Sequence, residues 1–206
     1  MSIGTEGEVL FADACIVATR LHQADVILPD MEHLTGPLRE RLTYNPTVVV
    51  NLDYAAATHT KALGLLPGTA ECEHLSLVWF DHNKDPSSAP PRHSLVGCYF
   101  DAAVLPAMGA ASDEDFTEIA EAFVLRHFPE LKGTRDMVQV TRWADAIPNP
   151  APGIYSAIAR FKSQLDSASP IQLADDYFTC TGQNSAIHWG QVAAENIDRH
   201  LGRRNS

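Results

Sequence analysis

The sequence predicts an α+β (mixed α/β) fold built on a twisted sheet of at least four strands. Three observations carry that reading. Short apolar runs at about 48–50, 75–80, 95–100 and 137–143 are each bounded by turn-forming residues, as strands are. Longer segments at 116–124 and 154–165 repeat their apolar residues at helical spacing. No internal repeat or low-complexity linker divides the 206 residues into independent halves.

Taken in order, Val9-Leu10-Phe11 and Ala14 to Ala18 read as a hairpin arm followed by a buried strand ending at Thr19. Residues 20–36 read as a mixed connection containing Pro29 and Gly36. Pro37 in a first turn then opens a short helix, Leu38 to Leu42. Val48-Val49-Val50 is a strand signal, followed by strands at Leu75–Phe80 and Leu95–Phe100. Between these two lies the polar, proline-rich loop DHNKDPSSAPPRH. Ser112, with Asp115 three residues on, resembles a capping box. Phe116, Ile119, Ala120, Phe123 and Val124 form the apolar face of the helix it opens, and Pro129 ends that helix. A strand at Met137–Trp143 precedes a turn containing Pro148, Pro150, Pro152 and Gly153. Ile154 to Leu165 reads as a helix, Asp175 to Cys180 as a strand broken by Gly182, and Ser185 to Leu201 as the last helix.

Fifteen basic residues against 26 acidic ones give a formal net charge of −11, and no basic run interrupts that balance. An acidic surface repels phosphate, so a nucleic-acid binder is not expected. No apolar stretch reaches the roughly 20 residues that cross a bilayer. Glu6 and Glu8 stand where a signal peptide needs a basic start and an apolar core. The expectation is a cytoplasmic protein. Cys15, Cys72, Cys98 and Cys180 each sit in an apolar, strand-like run with no C-x-x-C pair, which reads as buried free thiols. His74, His82 and His93 flank the polar loop without metal-ligand spacing, so no metal site is expected.

Two passages are more specific than periodicity. One is Arg142-Trp143-Ala144-Asp145-Ala146-Ile147-Pro148, followed by Pro152-Gly153. The other is Tyr177-Phe178-Thr179-Cys180-Thr181-Gly182-Gln183-Asn184 with Gly190-Gln191-Val192-Ala193-Ala194-Glu195-Asn196-Ile197. Together they resemble the C-terminal half of the flavin-containing amine oxidase superfamily, its protoporphyrinogen-oxidase-like and desaturase-like members above all. Ala12-Asp13-Ala14-Cys15-Ile16-Val17-Ala18-Thr19 is similar to that family's "A-D-x-V-V-x-A-T-P" strand, and Val48 to Tyr54 resembles the strand opening its substrate-binding domain. The resemblance implies a substrate-domain-type mixed sheet with covering helices over residues 21–169. It also implies a remnant of the FAD-binding domain, sheet and C-terminal helix included, over 1–20 and 170–206.

The family binds FAD through a Rossmann unit whose G-x-G-x-x-G meets the pyrophosphate at a helix N-terminus. No such motif occurs here; glycines 4, 7, 36, 64, 68 and 97 are scattered singly. The resemblance therefore implies a half-protein by family standards. The segment from Gly182 to Trp189 is shorter than the family pattern, and Trp189 stands where a small residue is usual. FAD is the implied cofactor, bound weakly or not at all by the chain alone. The cofactor-side residues carried over are Trp143, Gly182, Gln183, Asn184 and Trp189.

Each has an ordinary structural reading beside it. Trp143 either packs beside a flavin or is a core aromatic ending a strand. Gly182 suits any strand-to-helix turn. Asn184 and Ser185 are N-cap candidates or present backbone donors to a phosphate or ribityl chain. His188 reads as a surface or core residue. No activated nucleophile is visible, and no catalytic residue is assigned. Three functions follow from the resemblance. The first is the substrate-domain portion of an FAD-dependent oxidoreductase acting on an amine or other small apolar metabolite, completed by an FAD-binding partner chain or a missing N-terminal half. The others are a flavin-less binding protein and a flavin-independent isomerase or cyclase. An exposed apolar docking face, covered by that partner or by self-association into a homo-oligomer, is expected with the first.

Overall fold

A computed structural model describes residues 2–5, 8–179 and 182–204. In chain order its elements are β1 (Ser2–Thr5), β2 (Glu8–Phe11), β3 (Cys15–Val17), α1 (Leu21–Ile27), α2 (Glu32–Arg39), β4 (Leu42–Tyr54), β5 (Gly64–Leu65), β6 (Leu75–Phe80) and α3 (Asp81–Lys84). They continue with β7 (Ser94–Phe100), α4 (Asp113–His127), β8 (Arg135–Pro150), α5 (Ile154–Gln164), β9 (Ile171–Leu173) and α6 (Gln183–Arg204). The fold is α+β, as the sequence predicts. The chain divides into two compact units: residues 1–43 with 148–206, and residues 44–147. Helices α1, α2 and α5 belong to the first unit, whereas the sequence-based division put residues 21–169 together.

Residues 44–147 are organised by a sheet in the order β5-β6-β7-β4-β8. The four strand signals expected to share one sheet do so. β4 and β7 pair antiparallel with Val50 opposite Cys98 and Leu52 opposite Val96, and β6 joins β7 on its other side. Alternation then decides the two faces. Val48, Val50, Leu52 and Tyr54 of β4, with Val96, Cys98 and Phe100 of β7, form one buried cluster with Phe116, Ala120, Phe123 and Val124 of α4. Phe100 and Phe116 meet edge-to-face with centroids 4.8 Å apart. Burial pushes the Cys98 thiol up to about 12 and holds the Tyr54 hydroxyl above its ordinary range. Helix α4 starts as the sequence predicts. Ser112 Oγ accepts from the Asp115 amide at 3.2 Å, and the Asp115 carboxylate accepts from the Ser112 amide at 2.7 Å.

In the first unit β1 and β2 form the expected hairpin. β3 lies parallel to β9, with Cys15 opposite Ile171 and Val17 opposite Leu173. This corrects the strand expected over Asp175 to Cys180: residues 176–178 form a 3-10 turn, and Cys180 and Thr181 lie outside the described residues. The short strand is instead Ile171-Gln172-Leu173, whose buried Gln172 is satisfied on both ends of its amide. Its Nε2 donates to the carbonyls of Asp166 and Ser169, and its Oε1 accepts from Asn196 of α6 at 2.8 Å. Leu21, Leu38, Ile154, Ile158, Phe161, Leu173, Phe178 and Ala193 supply apolar core to this unit.

Three further expectations are corrected. Residues 21–27 and 32–36 are helical rather than a connection, Pro37 lies inside α2 instead of opening a helix, and the helix expected over Leu38 to Leu42 ends at Arg39, with Leu42 already in β4. β8 runs on through Pro148 and Pro150, which the sequence reads as a turn. It ends the row of strands, where an edge tolerates residues without an N–H. Cys72 precedes β6 and is not in a strand, although it, Cys15 and Cys98 are all free thiols. Among the described residues no helix is long and apolar enough to cross a membrane.

Candidate functional site

The residues carried over as cofactor contacts fall in two places. Trp143 lies on β8, in the unit of residues 44–147, with about half its surface (49%) exposed. It is not a core aromatic. Gly182, Gln183, Asn184 and Trp189 lie at the start of α6 in the other unit. Gly182 has φ 142°, a backbone conformation that favours glycine, and open space where a Cβ would be. Its amide, however, donates to the Asp176 carboxylate at 3.3 Å. Ser185 exchanges a short hydroxyl hydrogen bond with Thr179. Trp189 is half-buried and already engaged: Phe178 stacks on it at 4.7 Å, Lys162 Nζ lies 4.1 Å from its ring centroid, and its indole N–H donates to Thr179 Oγ1. An anionic phosphate approaching Gly182 would meet the Asp176 carboxylate. Gln183 and Asn184 are exposed, whereas Trp189 lines a cleft of about 280 Å3 together with Lys162, Phe178 and Val192.

A more fully built site lies on the sheet face opposite the α4 core. The strand registers bring Asn51 of β4, Gly97 of β7, Trp79 of β6 and Gly64 of β5 into one row across the sheet. Tyr99, two residues beyond Gly97, shares that face. A Cβ on Gly97 would sit 3.3 Å from Asn51 Oδ1, 3.4 Å from the Tyr99 ring and 3.5 Å from Asp81 Oδ2. A Cβ on Gly64 would come within 2.8 Å of the Trp79 ring, so the indole lies directly over that glycine. Glycine at both positions is therefore what lets the polar and aromatic groups approach the sheet.

Asp81 is held there by its neighbours in α3. His82 bonds the Leu95 carbonyl at 3.0 Å and Thr58 Oγ1 at 3.1 Å, and Asn83 Nδ2 donates to the carbonyls of Thr60 and Ala62. Burial pushes the Asp81 carboxyl above its usual range, offset in part by the Lys84 and His82 charges. Burial, and then the Asp81 charge, likewise raise Tyr99. Lys84 Nζ lies 5.8 Å from the Trp79 centroid. The arrangement gathers a carboxylate, an amide oxygen and two aromatic faces around a glycine floor. Such a surface accepts hydrogen bonds from, and neutralises, a cationic amine. Asn51, Trp79, Asp81, Gly97 and Tyr99 were not singled out from the sequence. Strand alternation puts Asn51, Gly97 and Tyr99 on the face away from the core once the register is known.

The raised Asp81 carboxyl gives a test by stability. A carboxyl whose folded value lies above its unfolded one contributes stability that is fully present below about pH 4 and is lost as pH rises through the folded value. Asp81→Asn removes that loss. The variant is expected to unfold at higher denaturant concentration than the parent at neutral pH, with the gain disappearing toward about pH 4. A variant less stable than the parent at neutral pH would contradict it.

Comparison with known proteins gives the family. The pattern of flavin containing amine oxidoreductases matches residues 3–198. A search of curated proteins returns no match. Among solved structures, cyclohexylamine oxidase from Brevibacterium oxydans IH-35A is similar at 14% identity and TM-score 0.74, over 98% of this chain and 46% of that one. A protein provisionally described as a protoporphyrinogen oxidase from Exiguobacterium sp. 255-15 is 19% identical, with TM-score 0.67, over 98% and 44%. Putrescine oxidase bound to putrescine is 14% identical, with TM-score 0.69, over 96% and 45%. The chain thus spans less than half the length of the solved structures it matches. With the family pattern running from the first hairpin into the last helix, and the same fold in these solved structures, this chain belongs to the flavin containing amine oxidoreductases.

Proposed function

We propose that this chain is the substrate-side portion of an FAD-dependent oxidoreductase acting on a small amine. The observation that carries the reading is the cluster over Gly97, where Asn51 Oδ1, the Tyr99 ring and Asp81 Oδ2 all lie within 3.5 Å of the place a Cβ on that glycine would take. Asp81 supplies charge neutralisation, Asn51 a fixed acceptor, and Trp79 and Tyr99 apolar and π surface for the substrate's body. FAD, when present, supplies the two-electron oxidation, and the protein's part is to hold and orient the amine.

The residues at the start of α6 do not fit a flavin site on their own. Trp189 is committed to Phe178 and Thr179, and the Gly182 amide to Asp176. We therefore assign the main flavin contacts to a complementary portion, either a partner chain or an N-terminal half. β8 favours such a complement. It is the last strand of its sheet, and Met137, Val138, Trp143 and Ile147 along it are all more than 40% exposed. An edge strand bearing exposed apolar side chains is a template for further pairing.

Two measurements on the purified chain test this together: visible flavin absorbance and mass in solution. The expected result is a colourless chain that self-associates or captures a Rossmann-type complement, gaining flavin only with the latter. A yellow monomer holding one equivalent of FAD would overturn the assignment.

A further inference from the structure

Three neighbouring strands of the same unit bring one ligand-type side chain each to one end of the sheet. Asp53 is the next-to-last residue of β4. His93 immediately precedes β7, whose Ser94 lies opposite Tyr54. Asp136 is the second residue of β8, the strand on the other side of β4. One ligand atom from each lies within 4.8 Å of the other two, and His93 Nδ1 and Asp53 Oδ2 are 2.8 Å apart.

A second observation concerns Asp53 itself. The residue is only 7% exposed, yet its other carboxylate oxygen, Oδ1, is buried without a hydrogen-bond partner. A buried carboxylate oxygen left unsatisfied is costly, and the imidazole satisfies only the first oxygen. Arg135, next to Asp136, is committed elsewhere, its guanidinium lying 2.8 Å from Glu121. Two carboxylates and one imidazole thus converge with one lone pair unmet.

We propose that Asp53, His93 and Asp136 form a binding site for one first-row divalent cation, with Zn2+ or Mn2+ the matching class. Two carboxylates neutralise a dication, and an imidazole nitrogen in the set favours such an ion over Ca2+ or Mg2+, which prefer all-oxygen shells. Metal–ligand bonds of about 2.0–2.2 Å draw ligand atoms to within roughly 3–4 Å of each other. The exposed Asp136 closes the remaining distance by a side-chain rotation, because Asp53 and His93 are already in register. The three ligands leave a coordination position for water, as catalytic rather than closed structural sites do. The sequence alone points away from this, since His93 lies 40 residues from Asp53 and 43 from Asp136 with no motif spacing. The proposal does not rest on the amine-binding reading.

The test uses the full chain, stripped with a chelator and dialysed, and titrated with Zn2+ by calorimetry. Co2+ is added separately for its visible absorption. The expected result is one equivalent of Zn2+ and a Co2+ spectrum with nitrogen and oxygen ligands. Loss of an outer-sphere partner alone weakens metal sites by about 10–100-fold, so removing a ligand is expected to cost at least about tenfold in affinity. Asp136→Asn changes an exposed side chain and so reads the site without disturbing the core. His93→Gln is the second variant. No Zn2+ binding by the parent chain, or unchanged binding in either variant, overturns the proposal. Weakened binding in both, with unchanged circular dichroism, supports it.

Discussion

Phe123→Ala is expected to cost about 3–5 kcal/mol of unfolding free energy, the range for emptying a buried aromatic site. Phe123 is 4% exposed on the face of α4 that covers the sheet, and its ring lies 4.6 Å from that of His127. Loss of the transferred apolar surface and the void left behind both contribute. The value should fall toward the lower end, because Phe123 also lines a surface cleft of about 390 Å3 that would let water into the space vacated. Denaturant unfolding followed by tryptophan fluorescence measures it, with Phe123→Leu as a volume-sparing control expected to cost under about 1.5 kcal/mol. A loss below about 1 kcal/mol for the alanine variant would mean that α4 does not cover the sheet as described.

The second large effect is on binding. Asp81→Asn should weaken a primary amine by about 10- to 100-fold, since a hydrogen bond to a charged partner contributes roughly 1.5–3 kcal/mol. The matching alcohol, which lacks the charge, should bind parent and variant alike. Calorimetric titration of both ligands into both proteins separates loss of charge recognition from loss of the site as a whole. Equal affinity of the parent for amine and alcohol would remove Asp81 from the role given to it. The same substitution is expected to stabilise the fold at neutral pH, so binding and stability should move in opposite directions. That opposition is what a carboxylate retained for recognition at a cost in folding would produce.

How much of this was legible beforehand depended on whether the signal was local. Helix α4 announces itself through Ser112, Asp115 and the spacing of Phe116, Ala120 and Phe123, all within a dozen residues, and it forms as predicted. The strands at 75–80 and 94–100 are equally local. Helix α2 was hidden because Gly36 and Pro37 are poor helix formers. What holds it is burial of Thr35 and Leu38, with Arg39 paired to Asp25 of α1 at 2.6 Å, and that tertiary support is invisible to propensity. β9 is three residues long and shows itself only through its parallel partner far away in sequence. The site over Gly97 was missed for the same reason. Asn51, Trp79 and Tyr99 are ordinary strand residues until pairing places them around a glycine. The resemblance to the amine oxidoreductases was legible because it rests on order along the chain. It also carried over Trp189 as a cofactor contact, and in the structure that ring stacks on Phe178.

The division of the chain also sets an order of synthesis. Residues 44–147 are contiguous, so every strand of the β5-β6-β7-β4-β8 sheet within that stretch has been synthesised before Pro148 is added. The other unit is interrupted by this whole segment. Its β3 has no strand to pair with until Ile171 to Leu173 appear, and the helix that packs against both comes last. Through most of translation, then, residues 15–17 wait with Ile16 and Val17 uncovered while the inserted sheet is already able to mature. Nascent chains stalled with residue 173 just inside the ribosome and with it well outside should differ sharply in protease resistance at the N-terminal segment and hardly at all within residues 44–147.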